Sequence, residues 1–258
     1  MRPAVSRPQR AFTLIELLFV LLVATVLLTG LLVPVAAQVQ MRRHEETRRL
    51  LEEAREAILG FAAANARLPC PAAPGSRGEE SFAPGGDAAN GRCARFFDGH
   101  LPAAALGLAP LDADGFLRDA WGAGANRLRY AVHGGTAVGG VDNPLTRANG
   151  MQAASLAALG SAPGFLHVCA RGRGTNASGC GAAANQLTRR AAFVILSPGP
   201  NAHASPRPDS DEARNLDGDP VFVSREPSDV PEDPFDDILT WGPIHLVVSR
   251  LLAAGRLP

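Results

Sequence analysis

The 258-residue chain balances 25 basic side chains, every one an arginine, against 25 acidic ones, so its formal net charge is zero. A neutral chain without a basic patch lacks the electrostatic footprint of a nucleic-acid binder, and no nucleic-acid partner is expected. Catalytic signatures are missing too: the six histidines are scattered, neither His-Glu-x-x-His nor Gly-x-Ser-x-Gly occurs, and Gly134-Gly135 and Gly139-Gly140 lack a phosphate-loop lysine.

In chain order, Met1 to Ala11 is a short leader carrying Arg2, Arg7 and Arg10 and no acid. It meets an apolar stretch, Phe12-Thr13-Leu14-Ile15-Glu16-Leu17-Leu18, with one carboxylate in it. Placing an ionisable group in hydrocarbon costs roughly 2.5 to 3.5 kcal/mol on insertion scales, so Glu16 calls for a partner. Leu17 to Met41 holds no charged side chain. As a helix it would extend ~37 Å, more than the bilayer core. An ordinary secretory signal peptide, with Ala36-Ala37 imitating its cleavage site, is the alternative. The length, the Glu16 and the helical pattern beyond Val39 favour a membrane anchor. Gly30 and Pro34 interrupt the run, and a kink or local melting near Pro34 is expected, with a merely tolerated membrane proline the equal alternative. The basic leader should stay cytoplasmic and the bulk of the chain outside.

Past the apolar run, Leu50, Leu51, Ala54, Ala57, Ile58, Phe61 and Ala62 recur at helical spacing, opposed by Arg48, Arg49, Glu52, Glu53, Arg55 and Glu56. The helix should continue to about Ala66 and stop before Leu68-Pro69. The expected organisation is a leader at 1–11, a transmembrane helix at 12–41, its amphipathic continuation at 42–67 and one globular head at 68–258. The segment Pro71 to Gly99 reads as a long loop, either functional or partly disordered. Candidate strands are Leu128 to Val132, Phe165 to Cys169, Ala191 to Leu196 and Val221 to Val223, in a small antiparallel sheet. The tail from Ile244 suits a strand to Val248 or, preferably, a short helix capped by Gly255.

Cys70, Cys93, Cys169 and Cys180 form two sequence-local pairs, and an even count in an exported chain implies disulfides. Cys70 with Cys93 and Cys169 with Cys180 is the favoured pairing. The spacings do not suit the zinc site that is the rival reading. In the acidic C-terminal loop Asp217, Asp219, Asp236 and Asp237 could supply oxygen ligands to calcium, although Asp-Gly and Asp-Pro clusters also build ordinary turns.

The leader, the Phe12 to Leu18 junction and the apolar helix after it resemble the type IV pilin and type II secretion pseudopilin family. That resemblance implies a long N-terminal helix packed on a small antiparallel sheet, an α+β pilin-like fold. It implies cleavage between Ala11 and Phe12 by a prepilin peptidase, methylation of the new amine, and assembly through Glu16. Ala11 stands where the family usually has Gly. Two further stretches are similar to the major pseudopilins: Asp119-Ala120-Trp121-Gly122 with Leu128-Arg129-Tyr130, and Phe193 to Gly199 followed by an acidic loop and Asp236 to Trp241. In several members that loop holds calcium; here it is longer and its turn is Gly199-Pro200-Asn201-Ala202. The resemblance implies a non-enzymatic subunit in a bacterial inner membrane, with a periplasmic head and other pilin or pseudopilin subunits as partners. The alternatives are a tip subunit that binds an exported substrate or DNA, and a signal-anchored envelope protein.

Overall fold

The computed structural model describes residues 13–122, 126–162 and 165–257, and for residues 26–36 the backbone alone. It is mixed α+β, with a 52-residue N-terminal helix, α1 (Leu14–Asn65), ahead of a sheet-containing head. The chain divides into two compact units at Glu45/Glu46, inside α1.

In the first unit the helix is continuous through Gly30 and Pro34, so local melting at Pro34 is not observed. Proline removes one backbone bond, and the turns on either side of it still hold theirs. Among the described residues no helix is long and apolar enough to cross a membrane. The expected span at 12–41 includes Phe12 and the side chains of 26–36, which lie outside them.

In the second unit the C-terminal part of α1 is amphipathic. Thr47, Leu51, Ala54, Ile58, Leu59 and Ala62 are buried, whereas Arg48, Glu52 and Glu56 face solvent. The helix ends where Ala66 takes a left-handed conformation (φ 55°). The exit is then pinned: the Arg67 guanidinium donates to both carboxylate oxygens of Glu80 at 2.6 and 2.7 Å, and Glu80 Oε1 also accepts the Cys70 N–H at 2.7 Å. Arg67 lies over the Phe61 ring at 5.0 Å, which shields the pair from water. Cys70 is bonded to Cys93, closing most of the 71–99 loop. Isolated bridges Ala72↔His100 and Phe82↔Cys93 tie the loop down further, so it is ordered without regular structure.

The sheet is built on β6 (Gln186–Ser197). Its C-terminal half pairs antiparallel with β2 (Arg129–Val132) and with β8 (Ile238–Pro243). Both partners match Phe193 to Leu196, so they lie on opposite sides of β6. Its N-terminal half pairs with β5 (Leu166–Cys169), and β1 (Gly99–His100) extends the sheet beyond β2. The expected all-antiparallel sheet needs one correction: β7 (Val221–Val223) runs parallel to β5. A parallel neighbour needs a crossover rather than a hairpin. The long connection from Ala170 through β6 and the acidic loop provides it. A small hairpin, β3 (Ala137–Val138) with β4 (Val141–Asp142), and two short helices, α2 (Gly150–Ala154) and α3 (Leu156–Ser161), lead into β5.

Alternation along β6 sorts the core into two layers. Phe193 and Ile195 join Tyr130, Val132, Leu51, Ile58 and Ala62, whereas Val194 joins Ala131, Leu166, Val168 and Phe222 on the other face. Tyr130 is wholly buried and donates its hydroxyl to the Pro69 carbonyl at 3.2 Å. Gly242 in β8 has no substitute, because a Cβ there would sit 2.1 Å from the Phe193 ring. The chain closes with α5 (Ile244–Ala253), which buries Ile244, Val247 and Leu251 against the α1 side of the core. Arg250 pairs with Glu56, and Arg256 donates to the Ala63 and Ala64 carbonyls at the end of α1.

Candidate functional site

The first site is the start of α1. Thr13 and Glu16 form a reciprocal capping box. Glu16 Oε2 accepts the Thr13 N–H at 3.2 Å and the Thr13 hydroxyl at 3.1 Å, and the Glu16 N–H donates back to Thr13 Oγ1 at 3.4 Å. Each bond satisfies a group that the helix terminus leaves unpaired, and the carboxylate complements the positive end of the helix dipole. Around it the helix presents apolar side chains on every side, from Leu14 (83 % exposed) and Ile15 to Val23. The Thr-x-x-Glu spacing was available in the sequence as a helix-start signal. Ala11 and Phe12, the expected processing pair, lie outside the described residues.

The second site is a polar knot where the segments singled out in the sequence converge. Asp119, buried before β2, accepts the Ser197 hydroxyl at 2.6 Å, Asn126 Nδ2 at 3.1 Å and the Trp121 N–H at 2.9 Å. Asn126 Nδ2 also donates to the Gly199 carbonyl, so the Asp119 turn and the end of β6 are bolted together. Gly199 needs its positive φ of 67°, and a Cβ there would lie 2.4 Å from the Asp236 carbonyl. Asp236 accepts the Asn201 N–H at 3.0 Å through Oδ2, while its Oδ1 is buried with no hydrogen-bond partner among the described residues. Glu212, on α4 (Asp211–Arg214), accepts from Asn201 Nδ2 at 2.9 Å and from the Asp236 N–H at 3.2 Å. Burial, reinforced by the adjacent Glu212 carboxylate, pushes Asp236 up to about 7. Burial also raises Asp119 and raises Asp237 well above the carboxylate range.

The four residues considered as calcium ligands are not brought together. Asp217 Oδ2 and Asp219 Oδ2 both lie 2.8 Å from the Arg214 guanidinium, and their other oxygens cap the Asp219 and Val221 N–H groups. Asp237 instead accepts Asn215 Nδ2 at 2.7 Å inside the head. Arg214 thus occupies the acids that a cation would need. Among the described residues no group of three or more His, Cys, Asp or Glu side chains is placed to hold a metal ion. Glu212 and Asn215 were missed in the sequence. Asn215 clamps β7 by accepting the Val223 N–H and donating to its carbonyl, a role no local pattern announces.

Cys169 is bonded to Cys180 across a Gly-rich turn, and no free cysteine remains. The histidines do not assemble into a site. His100 and His133 stack on Phe116 and Phe165, and burial lowers each to about 4.

Residues 6–32 match the prokaryotic N-terminal methylation motif, the prepilin-type signal of type IV pilins and pseudopilins. No curated protein and no solved structure matches the chain. The motif spans the last residues of the expected leader, the capping box and the first turns of α1, and it points to a type IV pilin or pseudopilin-like protein.

Proposed function

We propose that this chain, which carries the prepilin-type signal, is a minor pilin or pseudopilin subunit of a type IV pilus or type II secretion filament. A prepilin peptidase removes Met1 to Ala11 and methylates the amine of Phe12, α1 anchors the precursor in the inner membrane, and the head lies in the periplasm. The observation that carries the reading is the match at residues 6–32, together with a carboxylate held in the first turn of an apolar helix. The role is assembly and contact, in keeping with a motif that marks structural subunits.

The capping box explains how Glu16 tolerates the free precursor. Two hydrogen bonds from Thr13, its N–H and its hydroxyl, compensate the carboxylate until a partner arrives. In the filament a neighbour's methylated amine replaces the Thr13 donors. Two groups that would each be costly alone in hydrocarbon then neutralise one another and fix the helical register. The two disulfides suit an oxidising compartment.

The test is the intact N-terminal mass of the membrane-extracted protein, expressed with and without a prepilin peptidase. The expected product begins at N-methylated Phe12 only when the enzyme is present. A retained leader beside a processed control would overturn the reading and leave a signal-anchored envelope protein, whereas cleavage after Ala37 would leave a secreted one.

A further inference from the structure

A cleft of about 820 Å³ opens in the head between the disulfide-closed turn at 171–175, the 207–211 segment leading into α4, and the 232–234 loop. Its walls are rigid for loop structure. Asp211 Oδ1 accepts the Gly172 N–H at 2.7 Å while its Oδ2 accepts Arg225 Nε at 2.6 Å, and the other arm of Arg225 reaches Asp233 at 2.7 Å. The Cys169–Cys180 bond closes the turn from behind, and the Thr175 hydroxyl braces it on the Gly172 carbonyl.

The acids facing this cleft are mostly committed: Asp211 and Asp233 to Arg225, and Asp217 to Arg214. Three of the four arginines on the lining are not. Arg171 and Arg173 on one wall and Arg207 on the other are exposed and form no ion pair among the described residues. Three unpaired guanidinium groups on braced walls form a receptor for carboxylates, which arginine grips with two parallel hydrogen bonds. The volume lies in the range of ligand sites and exceeds what one carboxylate fills, so the occupant is a chain of several residues. Asp209 and Glu232, also on the lining and outside any ion pair among the described residues, oppose a continuous polyanion such as nucleic acid, and the neutral chain offers no long-range field to recruit one. We propose that this cleft binds an acidic peptide segment of a partner protein, with Arg171, Arg173 and Arg207 reading its carboxylates. Its chemistry does not depend on how the N-terminus is processed.

The test uses the full chain in a non-ionic detergent and a fluorescein-labelled, N-acetylated penta-glutamate peptide, followed by fluorescence anisotropy at low salt. Saturable binding is expected, with none for penta-glutamine. The triple variant R171A/R173A/R207A should bind at least tenfold more weakly and unfold at the same temperature, because these side chains make no described ion pair. Arg77→Ala with Arg147→Ala, distant from the cleft, should leave binding unchanged. Asp209→Asn with Glu232→Gln should tighten binding about threefold by removing like charge. Absence of binding, or binding indifferent to the triple variant, would overturn the proposal. So would displacement of the peptide by an equal charge of oligothymidylate, which would make the cleft a nucleic-acid site.

Discussion

The two parts of α1 are written in one continuous helix and obey opposite rules. Between Leu14 and Val23 the large apolar side chains are exposed, and the one carboxylate is satisfied locally by Thr13. Between Thr47 and Ala62 apolar residues are confined to one stripe, and Leu51, Ala54, Ile58 and Ala62 are almost inaccessible. The head therefore carries its own stabilising partners within the chain. Among the described residues the apolar side chains from Leu14 to Val23 stay exposed, and an exposed apolar surface of that extent is the mark of a membrane or protein contact site. Helix formation alone does not distinguish these cases; the angular distribution of apolar residues does.

That contrast is sharpened most by Glu16→Ala. We expect incorporation into filaments to be abolished in a piliation or secretion assay, with the thermal unfolding of the head unchanged. Normal incorporation would remove Glu16 from the assembly mechanism. Next in size is the same truncation at two places on the helix. Ile58→Ala should destabilise the head by about 2 to 5 kcal/mol, because the space it leaves is lined by packed neighbours. Leu18→Ala should change head stability by less than about 0.5 kcal/mol in urea unfolding, since its side chain is exposed. Equal losses would mean that the two units unfold as one.

A pH-dependent effect is expected at the polar knot. A carboxyl that titrates near 7 in the fold and near 3.8 when unfolded carries no penalty below about pH 4, a growing one between 4 and 7, and the whole of it above 7. Asp236→Asn should therefore raise the melting temperature at pH 8, and the gain should vanish by pH 4. His133, lowered to about 4 by burial, acts the other way: its neutral form supports the fold above 6.5, and that support is lost as pH falls towards 4. The difference between variant and parent isolates Asp236 from this background. A gain that grew as pH fell would refute the assignment.

Much of this was legible in the sequence. The helix, its end near Ala66, four strand locations, the tail helix before Gly255 and the two cysteine pairs each rest on periodicity, propensity or local spacing. β8 is not among the expected strands, and the fit of its Gly242 to the Phe193 ring cannot be read locally because that ring lies on another strand. The parallel β5–β7 pair was equally hidden, since pairing direction is a property of topology rather than of either strand. At the polar knot the sequence supplied Asp236 and Asp237 but placed them with Asp217 and Asp219. Arg214 separates the two pairs, and side-chain commitments of that kind appear only once the loop has closed.

The position of β6 governs the order in which the head can be finished. Its two sides are completed by β2, which precedes it, and by β8, which is made more than 40 residues later. As the chain emerges from its N-terminus, α1 is complete long before the strand that supports it has its second neighbour. The stem is thus available for capture while the head still exposes an open edge at β6. An unpaired strand edge of that kind is what leaves a partly folded chain prone to wrong association.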